Sequence, residues 1–198
     1  FCTPLIIDVN GQKQLISPGS GVVNALNPKT GEEIWRCYYD QGYSVVPRPV
    51  YAHGMVFVSS SYDKPVLLAI KVDGKGDVTG THVAWTIDKA VPHNPSMAVI
   101  GDELYFVADN GILTCADAKT GRIHYSERCT GPISASLMVA DGKLYLQDEK
   151  GLGVVVKPGK TFQILAQNNL DERSLASYAV IDSDLLIRTE GNLYRIKK

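Results

Sequence analysis

Short apolar runs separated by small polar turns recur along the whole chain, and each pair of runs predicts a β-hairpin. The clearest copy, residues 99–106, reads VIGDELYF, and residues 139–146 repeat it as VADGKLYL. Gly, Asn or Asp stands at the tips, where a tight turn needs positive φ. Sustained helical periodicity is nearly absent, so we predict an all-β fold. The five hairpins cover residues 9–16, 51–58, 99–106, 139–146 and 180–187.

The hairpins return at a regular interval. Their central apolar residues are separated by 41, 48, 40 and 41 positions. A period near 40 with several strands in each period is typical of a β-propeller blade. The 48-residue interval contains a polar insertion, residues 73–80, which we predict to be a solvated surface loop. The insertion lacks the liganding pattern and terminal Glu of an EF-hand loop, so we do not expect it to bind calcium.

A second motif follows the first hairpin and begins in an apolar strand that ends at Ala25. Asn27 starts a turn by accepting hydrogen bonds from backbone N–H groups, and Thr30 and Gly31 close that turn. The next strand carries Trp35, an aromatic side chain that we expect to pack between neighbouring sheets.

The same motif returns after the third hairpin, with Asp117, Thr120, Gly121 and Tyr125 at the corresponding positions. The second repeat keeps an apolar strand and Trp85 but has a longer turn between them. The fourth repeat retains only a Pro-Gly turn and an aromatic residue, and the fifth stops before any such turn.

These two motifs together predict four-stranded antiparallel blades, each built from an inner strand, a hairpin partner, a third strand and an outer strand. The whole chain is predicted to form a single partial β-propeller of about five blades. The last blade lacks its outer strand, and we expect the chain to be the C-terminal part of a seven- or eight-bladed propeller. The predicted blades cover residues 1–43, 44–91, 92–131, 132–171 and 172–198.

The pattern Ala-x-Asn-x-x-Thr-Gly-x-x-x-Trp, repeated at this period, resembles the tryptophan-docking motif of PQQ-like β-propellers. That family includes quinoprotein alcohol dehydrogenases and non-catalytic propellers of the outer-membrane assembly lipoprotein type. The resemblance covers the whole chain, repeat by repeat. It implies a bacterial, exported protein, and a periplasmic location is therefore expected.

The residues of this chain do not support the cofactor that gives the family its name. Quinoprotein members have a pair of adjacent cysteines, a bound calcium and an aspartate base, whereas no two cysteines are adjacent here. Trp35 and Trp85 both occupy docking positions, which leaves no tryptophan to stack on a quinone. We therefore predict a non-enzymatic binding or scaffold propeller with no cofactor, no metal and no catalytic residues. The alternatives are a fragment of a PQQ-dependent dehydrogenase and a sensor or repeat domain of a larger protein.

Charge and composition narrow the classes of partner. The chain has 20 basic and 21 acidic residues, a net charge of −1, whereas nucleic-acid-binding proteins usually show a basic excess. No apolar run approaches the roughly 18 residues of a membrane span. A protein or peptide is therefore the expected partner, with no nucleic acid and no transmembrane segment.

Four cysteines leave the redox state open from the sequence. Cys2, Cys37, Cys115 and Cys129 would allow three pairings if all were bridged. A Cys2–Cys37 or a Cys115–Cys129 bridge would fall within one sheet. The simpler interpretation is four small, mostly buried thiols.

Candidate ligand-facing residues lie in the loops that lead into each inner strand, together with the turns between second and third strands. Loops on a rigid scaffold carry function because they present variable side chains without disturbing the core. The residues of these loops that we expect to face a ligand are Arg48, His93, Asn94, Arg128 and Arg173. An open array of blades would also expose apolar faces and an unpaired edge, so self-association through those faces is a further expectation.

Overall fold

The computed structural model describes residues 2–40 and 42–197, and in these ranges the chain contains twenty β-strands and no helix. The described residues therefore include no helix that is long and apolar enough to cross a membrane. The strands form five sheets, four of them entirely antiparallel, and the last sheet has three strands. The predicted all-β fold with five sheets is confirmed. The outer limits predicted for the first and last blades, Phe1 and Lys198, lie outside the described residues.

The contacts between residues divide the chain into two compact units. The first unit runs to His93 and also includes the segment Asp117–Arg122. The second unit contains Asn94–Ala116 and the chain from Ile123 onward. The single partial propeller expected for the whole chain, with its blade limits, stays a prediction.

The first unit contains sheets 1 and 2. Sheet 1 has the strand order β1-β2-β3-β4-β8, and sheet 2 has the order β5-β6-β7-β9. The strands are β1 (Leu5–Val9), β2 (Gln12–Gly19), β3 (Val22–Leu26), β4 (Glu33–Tyr38), β5 (Val50–Ala52), β6 (Met55–Ser59), β7 (Leu67–Lys71), β8 (Gly76–Asp77) and β9 (Val83–Ile87). Alternate residues of the two sheets interdigitate in one buried cluster that includes Trp35, Val56 and Ile70.

The second unit contains sheets 3, 4 and 5, whose strands pair in chain order. The strands are β10 (Ala98–Ile100), β11 (Glu103–Val107), β12 (Ile112–Asp117), β13 (Ile123–Arg128), β14 (Met138–Ala140), β15 (Lys143–Gln147), β16 (Leu152–Val156), β17 (Ile164–Asn169), β18 (Ala179–Ile181), β19 (Asp184–Arg188) and β20 (Leu193–Ile196). A second buried cluster, which includes Tyr105, Leu113 and Leu144, joins sheets 3 and 4.

The predicted hairpin turns are present between the first and second strands of the sheets. Between β1 and β2 the two turn residues, Asn10 and Gly11, have φ of 52° and 85°. Between β14 and β15, Asp141 and Gly142 have φ of 46° and 65°. Positive φ at both central positions is the requirement of a type I′ turn, which these small polar residues meet at low cost.

The third and outer strands of four sheets share one register. Ala25 pairs with Trp35, and a shift in register follows in the next residue of β3. The same arrangement places Ala69 opposite Trp85 and Cys115 opposite Tyr125. Trp85 therefore keeps the register of the motif although the turn before it is longer. In sheet 4 the corresponding pair is Val155 with Ala166, so the aromatic residue of that repeat, Phe162, lies in the turn instead.

The ring of Trp85 packs under the turn at residues 117–122. Its Nε1 donates a hydrogen bond to the carbonyl oxygen of Ala118 at 3.1 Å. Gly121 lies so close to the ring that a Cβ there would come within 2.7 Å of Cδ2 of Trp85. The turn is held by Asp117, whose Oδ1 accepts from the backbone N and the Oγ1 of Thr120, both at 2.9 Å.

The turn of sheet 4 packs on sheet 3 in a related way. The hydroxyl of Tyr105 accepts a hydrogen bond from the backbone N of Gly159 at 2.7 Å. The ring of Phe162, in the same turn, lies 5.5 Å from the ring of Tyr125. An aromatic ring on one sheet therefore contacts the turn of the following repeat in this unit as well.

Trp35 has a different partner, because the turn that follows in sheet 2 is replaced by the longer insertion. Its Nε1 donates to Oε1 of Gln14 at 2.9 Å, and Nε2 of Gln14 donates to the carbonyl oxygen of Val72 at 3.2 Å. Both side chains are buried. Gln14 thus links the indole of Trp35 to the main chain just before the insertion.

Most residues of the insertion at residues 73–80 are exposed, as the sequence predicted, but the segment also forms a short strand that the sequence did not predict. Its β8 pairs in parallel with β4, with Gly76 opposite Trp35, and adds a fifth strand to sheet 1. The backbone N of Val78 donates to the carbonyl oxygen of Arg36 at 2.9 Å, and the side chain of Val78 is only 1% exposed. Oγ1 of Thr79 accepts from the backbone N of Tyr38 at 2.9 Å. The insertion therefore covers the outer edge of sheet 1, which an unpaired β4 would have left open to association.

We expect Gly121→Ala to lower the free energy of unfolding more than Gly31→Ala does. Both glycines have positive φ, 73° and 77°, so both variants carry the same backbone penalty of about 1 kcal/mol. A Cβ at Gly31 has no atom within 4 Å, whereas a Cβ at Gly121 meets the ring of Trp85. We expect an additional loss of about 1–3 kcal/mol from this overpacking. Denaturant unfolding followed by tryptophan fluorescence measures it, since both tryptophans lie in the first unit, and equal losses would show that the contact contributes nothing.

The burial of the insertion can be tested by Val78→Ala. Removing two buried methyl groups should lower the free energy of unfolding by about 2 kcal/mol. Val139→Ala is the matched control, because Val139 is 42% exposed and should change stability by less than about 0.5 kcal/mol. Equal stability of the two variants in the same denaturation experiment would show that the Val78 side chain is not packed in the core.

Candidate functional site

We call the loop that leads into each inner strand its entry loop. Because antiparallel strands alternate in direction, the entry loop and the turn between the second and third strands lie at the same end of each sheet. We call this the loop end. In the second unit the two sets of loops are hydrogen-bonded to each other. Nδ2 of Asn94 donates to Oδ1 of Asp109 at 2.5 Å, and the backbone N of Ile133 donates to the carbonyl oxygen of Asp109 at 2.8 Å. Oγ of Ser134 donates to Oε1 of Glu149 at 2.6 Å.

In sheet 5 one carboxylate holds the turn between β19 and β20. Glu172 accepts hydrogen bonds from Nδ2 of Asn192, Oγ1 of Thr189, the backbone N of Gly191 and the hydroxyl of Tyr194. These donors, with Asn192 contributing most, hold the pKa of Glu172 below its usual value. The carboxylate therefore stays ionised and keeps the turn closed at neutral pH.

Arg173 follows this anchor and is exposed. Its carbonyl oxygen accepts from the backbone N of Glu190 at 2.8 Å, which fixes the main chain and leaves the guanidinium at the surface. The side chain lines an open cleft of about 420 Å³ together with Leu175, Ala176, Arg188, Thr189 and Glu190.

Three serines just before the inner strands form a row that the sequence analysis missed. The backbone N of Ser96 donates to Oγ of Ser136 at 3.0 Å, and the backbone N of Ser136 donates to Oγ of Ser177 at 2.9 Å. The signal was present, because each serine stands two residues before an inner strand and the three recur at 40 and 41 positions. The row ties the three entry loops of the second unit together.

In the first unit the loop end is supported by three consecutive buried serines, Ser59, Ser60 and Ser61. Oγ of Ser59 donates to the carbonyl oxygen of Pro92, and Oγ of Ser61 donates to that of His93, both at 2.6 Å. These bonds join the turn after β6 to the entry loop that follows β9.

Next to these serines three aromatic rings contact one another in turn, and we call them the aromatic row. The rings of Tyr43 and Tyr62 are stacked with centroids 5.9 Å apart and planes 23° apart. The ring of His93 lies 5.5 Å from that of Tyr62. Sequence analysis selected His93 but neither tyrosine, because the three residues are far apart in the chain and only the fold brings them together.

The remaining candidate residues lie at separate local positions. Arg48 is exposed and stands just before β5, where it lines a cleft with residues of β1. Arg128 ends β13 and donates from Nη1 to the carbonyl oxygen of Asn110 at 2.6 Å. That Arg48, His93, Asn94, Arg128 and Arg173 face one ligand stays a prediction.

The four cysteines are free, so neither of the two bridges considered from the sequence is formed. Burial raises the pKa of Cys37, Cys115 and Cys129 from the usual 9.0 to about 11. Thiols with a raised pKa are poor nucleophiles and poor metal ligands at neutral pH. Among the described residues no group of three or more His, Cys, Asp or Glu side chains is arranged to hold a metal ion.

Comparison with solved structures identifies the fold as a β-propeller. The crystal structure of BamB from Moraxella catarrhalis matches with a TM-score of 0.55 at 12% identity, over 94% of this chain and 70% of that one. The computationally designed Ika8 protein matches with a TM-score of 0.73 at 14% identity, over 98% of this chain and 57% of that one. This chain therefore spans little more than half of the Ika8 chain. A search of curated protein sequences gave no match.

The family follows from the sequence itself. Residues 19–165 match the family described as outer membrane protein assembly factor BamB. The chain belongs to this family, and the predicted resemblance to PQQ-like propellers of the outer-membrane assembly type is confirmed.

Both tryptophans of the chain make structural contacts and are not placed to stack on PQQ. Trp35 is fully buried and bonded to Gln14, and the ring of Trp85 is covered by Gly121. Trp35 is therefore closed to a quinone, and the ring of Trp85 is occupied by Gly121 and by the ring of Phe57 at 5.6 Å. The chain also lacks the adjacent cysteines of the quinoprotein dehydrogenases.

The raised thiol pKa values predict a pH dependence of stability. An unfolded thiol loses its proton near pH 9, whereas the folded Cys37 holds its proton to about pH 11. The unfolded state then binds fewer protons in this window, so the free energy of unfolding should fall as the pH rises from about 9 to about 11. Denaturant midpoints measured under reducing conditions across this range test the expectation.

Cys37→Ala should make that fall shallower. Leu67→Ala is the matched control, because Leu67 is buried in the same unit, lies outside the cluster that contains Cys37 and carries no titrating group. It should lower stability at every pH and leave the slope unchanged. An unchanged slope in Cys37→Ala would show that this thiol does not contribute.

Proposed function

We propose that this chain is a non-catalytic scaffold propeller of the bacterial cell envelope that binds a protein or peptide partner at its loop ends. Membership of the BamB family supports a scaffold role and an exported, periplasmic location. The net charge of −1 disfavours nucleic acid as the partner. The aromatic row lies at the loop end of the first unit, and the serine row lies at the loop end of the second.

The observation that carries the proposal is how the loop ends are held. Their main chains are bonded to one another, as Ile133 is to Asp109 and Glu190 is to Arg173, while side chains such as Arg173 remain exposed. A rigid loop with free side chains binds a partner without a large loss of conformational entropy. This arrangement is typical of recognition loops on a fixed scaffold.

Site-specific photo-crosslinking in cells of the native host tests the proposal. A benzophenone amino acid placed at Arg173, at the loop end of sheet 5, should form an adduct with a defined protein. The same amino acid placed at Asp182 is the matched control, because that residue is also exposed but lies at the hairpin at the opposite end of the same sheet. The partner found by mass spectrometry should then bind the purified chain and lose affinity on Arg173→Glu.

Two outcomes would contradict the proposal. Equal crosslinking at Arg173 and Asp182 would remove the loop end as the binding surface. Alcohol oxidation that requires added PQQ and calcium, measured on the natural gene product, would favour the dehydrogenase alternative.

A further inference from the structure

The aromatic row is assembled from three separate segments of the first unit. Tyr43 comes from the loop between β4 and β5, Tyr62 from the turn between β6 and β7, and His93 from the loop after β9. The two tyrosine side chains are 51% and 39% exposed. Tyrosine rings that are both stacked and exposed are typical of recognition surfaces, because they give a large contact area and lose few rotatable bonds.

The backbone that supports the row is strained. Ser44, Ser61 and Asp63, the neighbours of the two tyrosines, have φ of 52°, 62° and 75°. Each such residue costs about 1 kcal/mol or more, and strain of this kind collects at binding sites. Gly42, with φ of 123°, packs so closely on the buried Ser60 that a Cβ would lie 2.4 Å from its carbonyl oxygen. The rings are therefore placed by a fixed main chain before any ligand arrives.

The spacing of the rings suits an extended peptide. Neighbouring centroids are 5.9 Å and 5.5 Å apart. Two residues of a polyproline II helix advance about 6.2 Å, since each residue rises about 3.1 Å. Such a segment forms no internal hydrogen bonds and is already ordered, so its carbonyl groups remain free to accept from tyrosine hydroxyls.

A cleft beside the row adds a charge preference. It begins at Asp63, the residue after Tyr62, and has a volume of about 740 Å³. Three carboxylates, Asp40, Asp63 and Asp88, line it against the single ammonium group of Lys64. All four side chains are exposed. Such a cleft attracts a basic residue on a bound peptide, because complementary charge steers and orients a partner.

We propose that Tyr43, Tyr62 and His93 bind a proline-rich polyproline II segment of a protein partner, with an adjacent Arg or Lys of that segment in the cleft of Asp40, Asp63 and Asp88. This inference rests on the proposed function and names the kind of segment that is recognised. The partner is defined by its chemistry, an extended, proline-rich and basic stretch of chain.

Fluorescence anisotropy of a labelled oligoproline peptide that ends in two arginines measures this binding on the full chain. Tyr62→Ala should weaken binding at least about tenfold, the effect of losing a central aromatic contact. Tyr62→Phe should weaken binding less than Tyr62→Ala does, because it keeps the ring and loses only the hydroxyl. Tyr51→Ala is the matched control, since Tyr51 is 36% exposed on β5 and lies outside the row. Denaturation midpoints of all variants establish that they are folded.

The charge preference has its own comparison. The double variant Asp63→Asn, Asp88→Asn should lower the affinity for the arginine-ended peptide. Its affinity for an oligoproline that ends in two glutamines should not change. The difference in affinity between the two peptides for the natural chain should shrink at high salt, because exposed charges are screened. Equal affinity of the two peptides for the natural chain would overturn the assignment of the cleft.

Other results would overturn the peptide assignment and leave the proposed function standing. If Tyr62→Ala binds the peptide as well as the natural chain does, the peptide binds elsewhere. If cellotetraose binds in a Tyr62-dependent manner and the oligoproline does not, the row stacks sugar rings instead. If neither binds while the Arg173 crosslink identifies a partner, that partner is recognised by other loops.

Discussion

An aromatic ring packed under the turn of the following repeat is the contact on which the rest of this fold depends. A β-sheet with two apolar faces is stable only when each face is covered by another layer. Trp85 meets this need with one hydrogen bond to Ala118 and a close approach of Gly121 that leaves no room for a side chain. In the second unit Tyr125 contacts Phe162 in the turn of sheet 4. The residues differ but the physical demand is the same, a flat ring against a compact turn.

The first sheet shows what happens when the turn is lost. The turn of sheet 2 is lengthened, so Trp35 donates to Gln14, which in turn donates to the carbonyl of Val72. The lengthened segment returns as β8 and pairs with β4. One insertion therefore covers the indole and also the sheet edge. The insertion can replace the turn at little cost in free energy, because the backbone of the inserted segment needs hydrogen-bond partners in any case.

Much of this fold could be predicted from the sequence, and the reason is local. Hairpin turns and the Asn or Asp turn are specified by a few adjacent residues, such as Asn10 and Gly11. The strand β8 could not be predicted, because two residues in a Gly-rich polar stretch carry no alternation. Neither could the aromatic row, whose members are separated by 19 and 31 positions. Contacts of that kind depend on how whole sheets pack, and they produce no repeating pattern in the sequence.

The way the sheets are joined also explains why the loop ends are suited to recognition. The contacts that pack one sheet on the next come from hairpins, third strands and outer strands. The turn at residues 117–122, for example, lies at the end of its sheet opposite to the loop end. The loop ends in turn are fixed by main-chain bonds, as between Glu190 and Arg173, and by a small set of side chains such as Ser59 and Glu172. Exposed side chains there, such as Arg173, can change without disturbing these supports. The same scaffold can therefore present stacked rings at one repeat and a guanidinium at another, and the chemistry of binding is separated from the stability of the fold.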